Sequence, residues 1–229
     1  MIRPLSGGAG ESGIDSNKKS KSFIYNIACN PAGDPGRIAN IGLNDKVTHN
    51  EKGILNLAVS LDGFIEGPNG EVDWCIMDDE MGFDAFIDSI DTIFYGRVSY
   101  ELWGNYQPGS DISEAEKSLW NGIRSKDKFV FSRSESPYQN ATVISEDLTD
   151  KVRQIKSRNG KDIWLYGGAG LTKTFIQLGL VDEYRISVHP VVLGSGKPLF
   201  EDINSRIGLT LIDTRVFKSG VIEVVYETC

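Results

Sequence analysis

The spacing of apolar residues changes period along this chain, and the changes mark its elements. Ile54-Leu55-Asn56-Leu57-Ala58-Val59 is a run of strand length and buried character, closed by Ser60-Leu61-Asp62-Gly63. Phe64-Ile65 continues it briefly before the turn Gly67-Pro68-Asn69-Gly70. Phe83, Phe86, Ile87 and Ile90 then recur at the spacing of one helical face. Thr92-Ile93-Phe94-Tyr95 predicts a strand that stops at Gly96, and Ser99 to Trp103 a short helix. A second amphipathic helix is expected over about 113–124, with Ala115, Leu119 and Ile123 inward. Lys128 to Phe131 predicts a strand ending at Ser132-Arg133, and Thr142 to Ile144 another. Leu148, Val152 and Ile155 define a third helix. Ile163 to Tyr166 predicts a strand that runs into Gly167-Gly168-Ala169-Gly170. Leu171, Phe175 and Leu178 define a fourth helix, closed by Gly179 as its C-terminal cap. Glu183 to Val192 predicts a longer strand, broken or bulged at Pro190. Leu209–Phe217 and Val221–Glu227 predict a hairpin around Lys218-Ser219-Gly220.

Strands alternating with helices imply an α/β fold with a mostly parallel central sheet flanked by helices. The closing hairpin adds antiparallel edge strands. Ligands of such sheets bind beyond the carboxyl ends of the strands, so the residues just after strands are where chemistry is expected.

Residues 1–53 break the pattern. They hold seven Lys/Arg against five Asp/Glu and only two of the 22 aromatic residues, Phe23 and Tyr25. Residues 1–22 are rich in Gly, Ser and Lys and read as disordered. The chain is therefore expected to be a polar extension, 1–53, followed by one domain, 54–229. Whether the extension is a tail or the true start lies nearer residue 53 stays open from the residues alone. The whole chain of 229 residues carries a net charge of −8, and all of the excess acid lies in the domain. An acidic surface disfavours nucleic acid as a general partner.

Three widely spaced cysteines, Cys29, Cys75 and Cys229, form no disulfide framework, and with His49 and His189 they give no zinc spacing. The start lacks the apolar run of a secretory signal, and no stretch reaches ~18 apolar residues. A cytoplasmic protein with neither metal nor membrane span is expected.

Three strand ends suit a phosphate. At Gly96-Arg97-Val98-Ser99 the glycine admits a close ligand, the following turn offers N–H groups, and Arg97 adds a forked cation. A surface arginine after an ordinary turn fits the same residues. Ser132-Arg133 suits a ribose 2′-phosphate, although taken alone it reads more readily as a loop with no ligand. Gly167-Gly168-Ala169-Gly170, between strand and helix, would bring backbone and helix N-terminus onto a pyrophosphate. It is neither Gly-x-Gly-x-x-Gly nor a P-loop, and glycines that only permit a tight turn explain it too.

Catalytic candidates are fewer. Asp62 ends the first strand and is the candidate substrate-side acid, although Asp-Gly also makes turns. Asp73, Asp78, Asp79 and Glu80 read as solvated or helix-capping acids. His189, before Pro190, reads as structural. Ser195 sits in Gly194-Ser195-Gly196, which is no nucleophile elbow.

Taken together, these stretches resemble the dihydrofolate-reductase-like superfamily. More closely, they are similar to stand-alone relatives of the reductase domain of the bifunctional riboflavin-biosynthesis deaminase/reductase. The resemblance rests on Ser60 to Ile65, Gly67 to Trp74, Gly96 to Glu101, Phe131-Ser132-Arg133, Leu165 to Gly168 and Pro190 to Phe200, in that order. It covers roughly 54–229. It implies an NADPH-dependent oxidoreductase that transfers a hydride to a small heterocyclic or carbonyl/imine substrate. Gly96, Arg97 and Ser99 would meet phosphates, and Ser132 and Arg133 the 2′-phosphate. Gly167, Gly168, Ala169 and Gly170 would line the nicotinamide–pyrophosphate cleft, with the Gly-Gly peptide often cis in the superfamily. Asp62 would sit on the substrate side, and homodimers are common in the group. Two positions depart from the pattern. The first helix presents Phe83, Phe86, Ile87 and Ile90 where dihydrofolate reductases carry a pocket carboxylate. Phe64 stands where riboflavin reductases typically have Lys. The cofactor half is what the motifs retain. A non-catalytic nucleotide-binding or regulatory protein on the same fold is the alternative reading.

Overall fold

The computed structural model describes residues 50–76, 79–109, 112–134 and 137–229. The polar extension to residue 49, with Cys29 and His49, and Asp78 lie outside the described residues.

An eight-stranded sheet forms the centre, in the order β5-β4-β3-β6-β1-β7-β10-β9. Its strands are β1 (Gly53–Ser60), β3 (Ile90–Gly96), β4 (Asp127–Phe131), β5 (Thr142–Ile144), β6 (Asp162–Gly167), β7 (Glu183–His189), β9 (Leu209–Val216) and β10 (Ile222–Thr228). From β5 across to β7 every neighbour is parallel. β10 runs antiparallel to β7 and to β9. The minor strands β2 (Phe64–Glu66) and β8 (Lys197–Pro198) pair antiparallel outside the main sheet.

The parallel strands read as near-continuous apolar runs because both faces are covered. One face of β1, β3 and β6 sends Leu55, Leu57, Val59, Phe94, Ile163 and Leu165 into one core cluster. There they meet Val152 and Ile155 of α4 (Leu148–Lys156) and Phe175 and Ile176 of α5 (Ala169–Gln177). The opposite face sends Ile54, Ile93, Tyr95 and Trp164 into a second cluster. Its cover is α1 (Phe83–Ser89) and α3 (Glu114–Arg124), with Phe86 and Trp164 in edge-to-face contact at 5.6 Å between ring centroids. The remaining helix, α2, is a turn over Arg97–Ser99 that widens into a π-helical turn over Tyr100–Gly104.

Local chemistry sets the boundaries. Ser113 caps α3: its hydroxyl accepts from the Glu116 N–H while the Glu116 carboxylate accepts from the Ser113 N–H. Gly179, at φ 63°, ends α5 with Gly179 N–H on the Ile176 carbonyl and Leu180 N–H on that of Phe175.

Several expectations shift by a residue or a face. Ala115 is exposed and Trp120 joins Leu119 and Ile123 inside, because α3 packs around the large indole. Leu178 is exposed as the cap begins, and Ile176 takes the inward position. α2 starts at Arg97, directly on the strand end, rather than at Ser99. β7 stops at His189, since Pro190 has no N–H to continue the ladder. No described peptide bond is cis, so Gly167–Gly168 is trans; positive φ at both glycines (81° and 79°) makes the sharp turn instead.

Candidate functional site

The ends of β3, β4 and β6 open onto one cleft of about 870 Å³. Gly96, Arg97 and Ser99 line it from β3 and α2. Ser132 and Arg133 line it from β4, and Gly168, Ala169 and Gly170 from the β6–α5 turn. Eight residues from three separate motifs thus share one cavity. Gly167 stands just behind them: a Cβ on Gly96 would come within 3.2 Å of its carbonyl oxygen.

The glycines are needed for space as well as for φ. A Cβ on Gly168 would lie 2.8 Å from Ser99 Oγ, and one on Gly167 would lie 2.5 Å from Thr172 Oγ1. Gly170 has nothing within 4 Å of where a Cβ would be. The N-cap position of α5, Gly168, offers no side-chain acceptor. The first-turn N–H groups of a helix have no intrahelical partner, so this end is electropositive and suits an anion.

The cations around the cleft are Arg97, Arg133 and Lys197. Arg97 Nη1 donates to both Glu101 oxygens, at 2.7 and 3.0 Å. That pair is half exposed, so phosphate oxygens could replace the carboxylate at small cost. Arg133 is exposed and forms no ion pair among the described residues. Ser132 Oγ accepts from the Ser134 N–H at 3.1 Å, which sets the turn beside Arg133. Apolar walls complete the cleft: Val98 and Leu102, both exposed on α2, and Phe131, Ile144 and Leu148.

Asp62 is not among the residues lining this cleft. Its carboxylate accepts from Ser60 Oγ at 2.7 Å, from Gly194 N–H at 2.7 Å and from Leu193 N–H at 3.1 Å. These bonds, the Ser60 hydroxyl foremost, hold the carboxyl below the usual carboxylate range. Asp62 therefore ties the first turn to the 193–197 segment. That segment carries Lys197, which lines the cleft 3.9 Å from Glu66. Glu66 is the acidic residue among the described cleft lining.

Sequence reasoning missed Glu66, Lys197 and the polar centre of β1. Asn56 is 1 % exposed, and neither amide atom has a hydrogen-bond partner. It pairs with Arg185 of β7, one residue beyond the Leu55–Leu165 pair with β6. The signal was present as a lone amide between Leu55 and Leu57. His189 is fully buried, with Nδ1 accepting from the Ile76 N–H at 3.1 Å and its ring edge-on to Trp74. Burial pushes its imidazole down to about 4.

The family model of the RibD C-terminal domain matches residues 51–222. The chain belongs to the RibD C-terminal domain family. Within it, the chain is 57 % identical over 175 residues to the uncharacterized protein YyaP of Bacillus subtilis (strain 168). That match covers 76 % of this chain and 93 % of YyaP. Among solved structures, a putative riboflavin biosynthesis protein from Shewanella sp. PV-4 superposes with a TM-score of 0.64 at 21 % identity, covering 78 % of this chain and 99 % of that one. Dihydrofolate reductase from Enterococcus faecalis, solved with NADP(H), gives 0.54 at 15 % identity, covering 79 % and 97 %. The domain here is thus a relative of the RibD reductase domain on a dihydrofolate-reductase-like fold. No helix among the described residues is long and apolar enough to cross a membrane, and no described cluster of His, Cys, Asp or Glu has the make-up of a metal site.

Proposed function

We propose that this protein is an NADPH-dependent reductase of a small heterocyclic or carbonyl/imine substrate. The observation that carries the reading is the convergence of Arg97, Arg133 and the α5 N-terminus on one cleft. An anionic dinucleotide needs charge at separated points and close backbone between them, and this donor set supplies both.

In this reading the α5 first-turn amides, released for contact by Gly168 and Gly170, bind the pyrophosphate. Arg97 exchanges Glu101 for phosphate oxygens, and Ser99 sits beside Gly168 as a hydroxyl donor. Arg133 and Ser132 take the 2′-phosphate. Val98 and Leu102 offer an apolar surface to the flat rings. When bound, the cofactor supplies the hydride. The protein aligns it with the acceptor and excludes water. Asp62 acts by positioning the Lys197 segment rather than by touching the reacting atoms.

A second reading, a nucleotide-binding protein without catalysis, has a specific observation in its favour. Glu66, the one acid among the described lining residues, faces Lys197, and the Asp62 carboxylate is already bonded.

Titration with NADPH and NADH, followed by tryptophan fluorescence, tests the reading. NADPH should bind at least tenfold tighter than NADH, and Arg133→Ala should erase that preference. Absence of saturable binding to either would overturn both readings. NADPH oxidation against a panel of heterocycles, aldehydes and imines then separates enzyme from binder.

A further inference from the structure

The sheet forks between two of its central strands. β1 pairs with β6 over Gly53–Leu55, whereas it stays paired with β7 through Ser60. β6 is irregular at the same level. Phe94 of β3 faces Leu165 and the next residue, Tyr95, faces Gly167, so Tyr166 is the extra residue of a bulge. Asn56 and Tyr166 are therefore the first residues of β1 and β6 past their last shared rung. Both lie on the face covered by α1 and α3: Ile54 and Trp164, two residues earlier, belong to that cluster, and Tyr166 packs against it. Asn56 is 1 % exposed there, with an unpartnered donor, Nδ2, beside an unpartnered acceptor, Oδ1.

The strand order β4-β3-β6-β1 gives this fork a direction. In the reading above, Arg133 after β4 takes the 2′-phosphate and the α5 N-terminus after β6 takes the pyrophosphate. A dinucleotide laid that way across the strand ends carries its second ring one strand further, to the gap between β6 and β1. From β4 to β1 is three strand spacings, about 14 Å. A nicotinamide ring bears a carboxamide, a planar group with one carbonyl acceptor and one NH2 donor. The Asn56 amide is its complement: Nδ2 donates to that carbonyl while Oδ1 accepts from that NH2. We propose that Asn56 orients the nicotinamide ring, by pairing its side-chain amide with the ring's carboxamide in the fork between β1 and β6. The inference rests on the NADPH reading of the cleft. Asn56 is not among the residues lining that cleft, so the ring has to enter the fork to reach it. Entry then replaces two unsatisfied buried groups with a bonded pair. A paired carboxamide also fixes the rotation of the ring about its glycosidic bond, and so which ring face is offered to the acceptor.

Calorimetric titration of the full chain with three probes tests this. They are NADP+, the NADP+ analogue whose carboxamide is replaced by an acetyl group, and adenosine 2′,5′-bisphosphate. The acetyl group keeps the carbonyl and lacks the NH2 donor. The wild type should bind NADP+ roughly tenfold tighter than the analogue, the size expected when a buried acceptor loses its donor. Asn56→Leu should bind the two equally, with its affinity for the bisphosphate unchanged, because that probe has no ring to orient. Retained bisphosphate binding also shows that the variant is folded. A merely structural role would weaken all three probes together in Asn56→Leu, and that result overturns the proposal. Equal binding of NADP+ and the analogue by the wild type overturns it as well, while leaving the cofactor reading in place. A wild type that binds no bisphosphate overturns the cofactor reading itself, and this inference with it.

Discussion

The Asp62 carboxylate accepts the backbone N–H of Gly194 at 2.7 Å, across 132 residues of chain. This bond, with those to Ser60 and Leu193, makes Asp62 the pin between the first strand's turn and the segment that brings Lys197 to the cleft. Asp62→Ala should raise hydrogen exchange at the Leu193 and Gly194 amides well above that of β7. NADPH affinity should fall while any residual turnover at saturating cofactor persists. The carboxyl is held below its ordinary value, so the contact is present at neutral pH and is lost as pH falls through that depressed value. Unchanged exchange in the variant would remove the positioning role.

Gly168 tests the cleft itself. Its φ of 79° and ψ of 150° belong to backbone that only glycine adopts without strain, and an added Cβ meets Ser99 Oγ at 2.8 Å. Gly168→Ala should cost about 1–3 kcal/mol, lowering Tm by roughly 2–4 °C per kcal/mol in a chain of this size. Cofactor affinity should drop by at least tenfold. Gly170→Ala, with open space at its Cβ, is the control for stability. Equal melting temperatures for the two variants would contradict the close approach.

His189 should make the fold acid-sensitive. The folded imidazole titrates near 4 because it is desolvated, against 6.5 when exposed. Between those values the unfolded chain binds the extra proton, so stability declines as pH drops from about 6.5 toward 4 and is full above that window. The limit is about 3 kcal/mol, from 1.36 kcal/mol per pKa unit. Protonation would also place a hydrogen on Nδ1, which now accepts from Ile76. Urea midpoints measured stepwise over that window should fall in the wild type and fall less steeply in His189→Gln. Parallel slopes would refute the assignment.

Asn56 is expected to cost the fold stability. A buried amide with no protein partner costs about 1–3 kcal/mol, and an apolar side chain of similar shape removes that cost. Asn56→Leu should therefore raise Tm by several degrees in calorimetry. A lowered Tm would mean that the amide is satisfied, for instance by buried water.

Much of the fold was legible in the residue pattern because its strands are covered on both faces. Full cover turns β1, β3 and β6 into apolar runs, and the intervening 3.6-residue spacings then have to be helices. The errors fell where side-chain size or a single backbone group decides. Trp120 displaced Ala115 from the inward face of α3, and Ile176 displaced Leu178 from that of α5. The glycine turn reached its shape through positive φ rather than a cis bond. The phosphate motifs were legible one by one, as glycines and arginines after strands.

The sequence by itself determined the order of elements and the chemical character of each strand end, because both are properties of short stretches of chain. Only the tertiary structure decided which of those ends meet. Parallel pairing of β4, β3 and β6 puts Arg133, Arg97 and Gly168 at the same end of the sheet, although they come from separate stretches of chain. The fold also decided the partners of Asp62, whose carboxylate accepts the N–H groups of Leu193 and Gly194 from a distant stretch of chain. A residue's charge is written in the sequence; its partner is set by whatever the fold brings within hydrogen-bond reach.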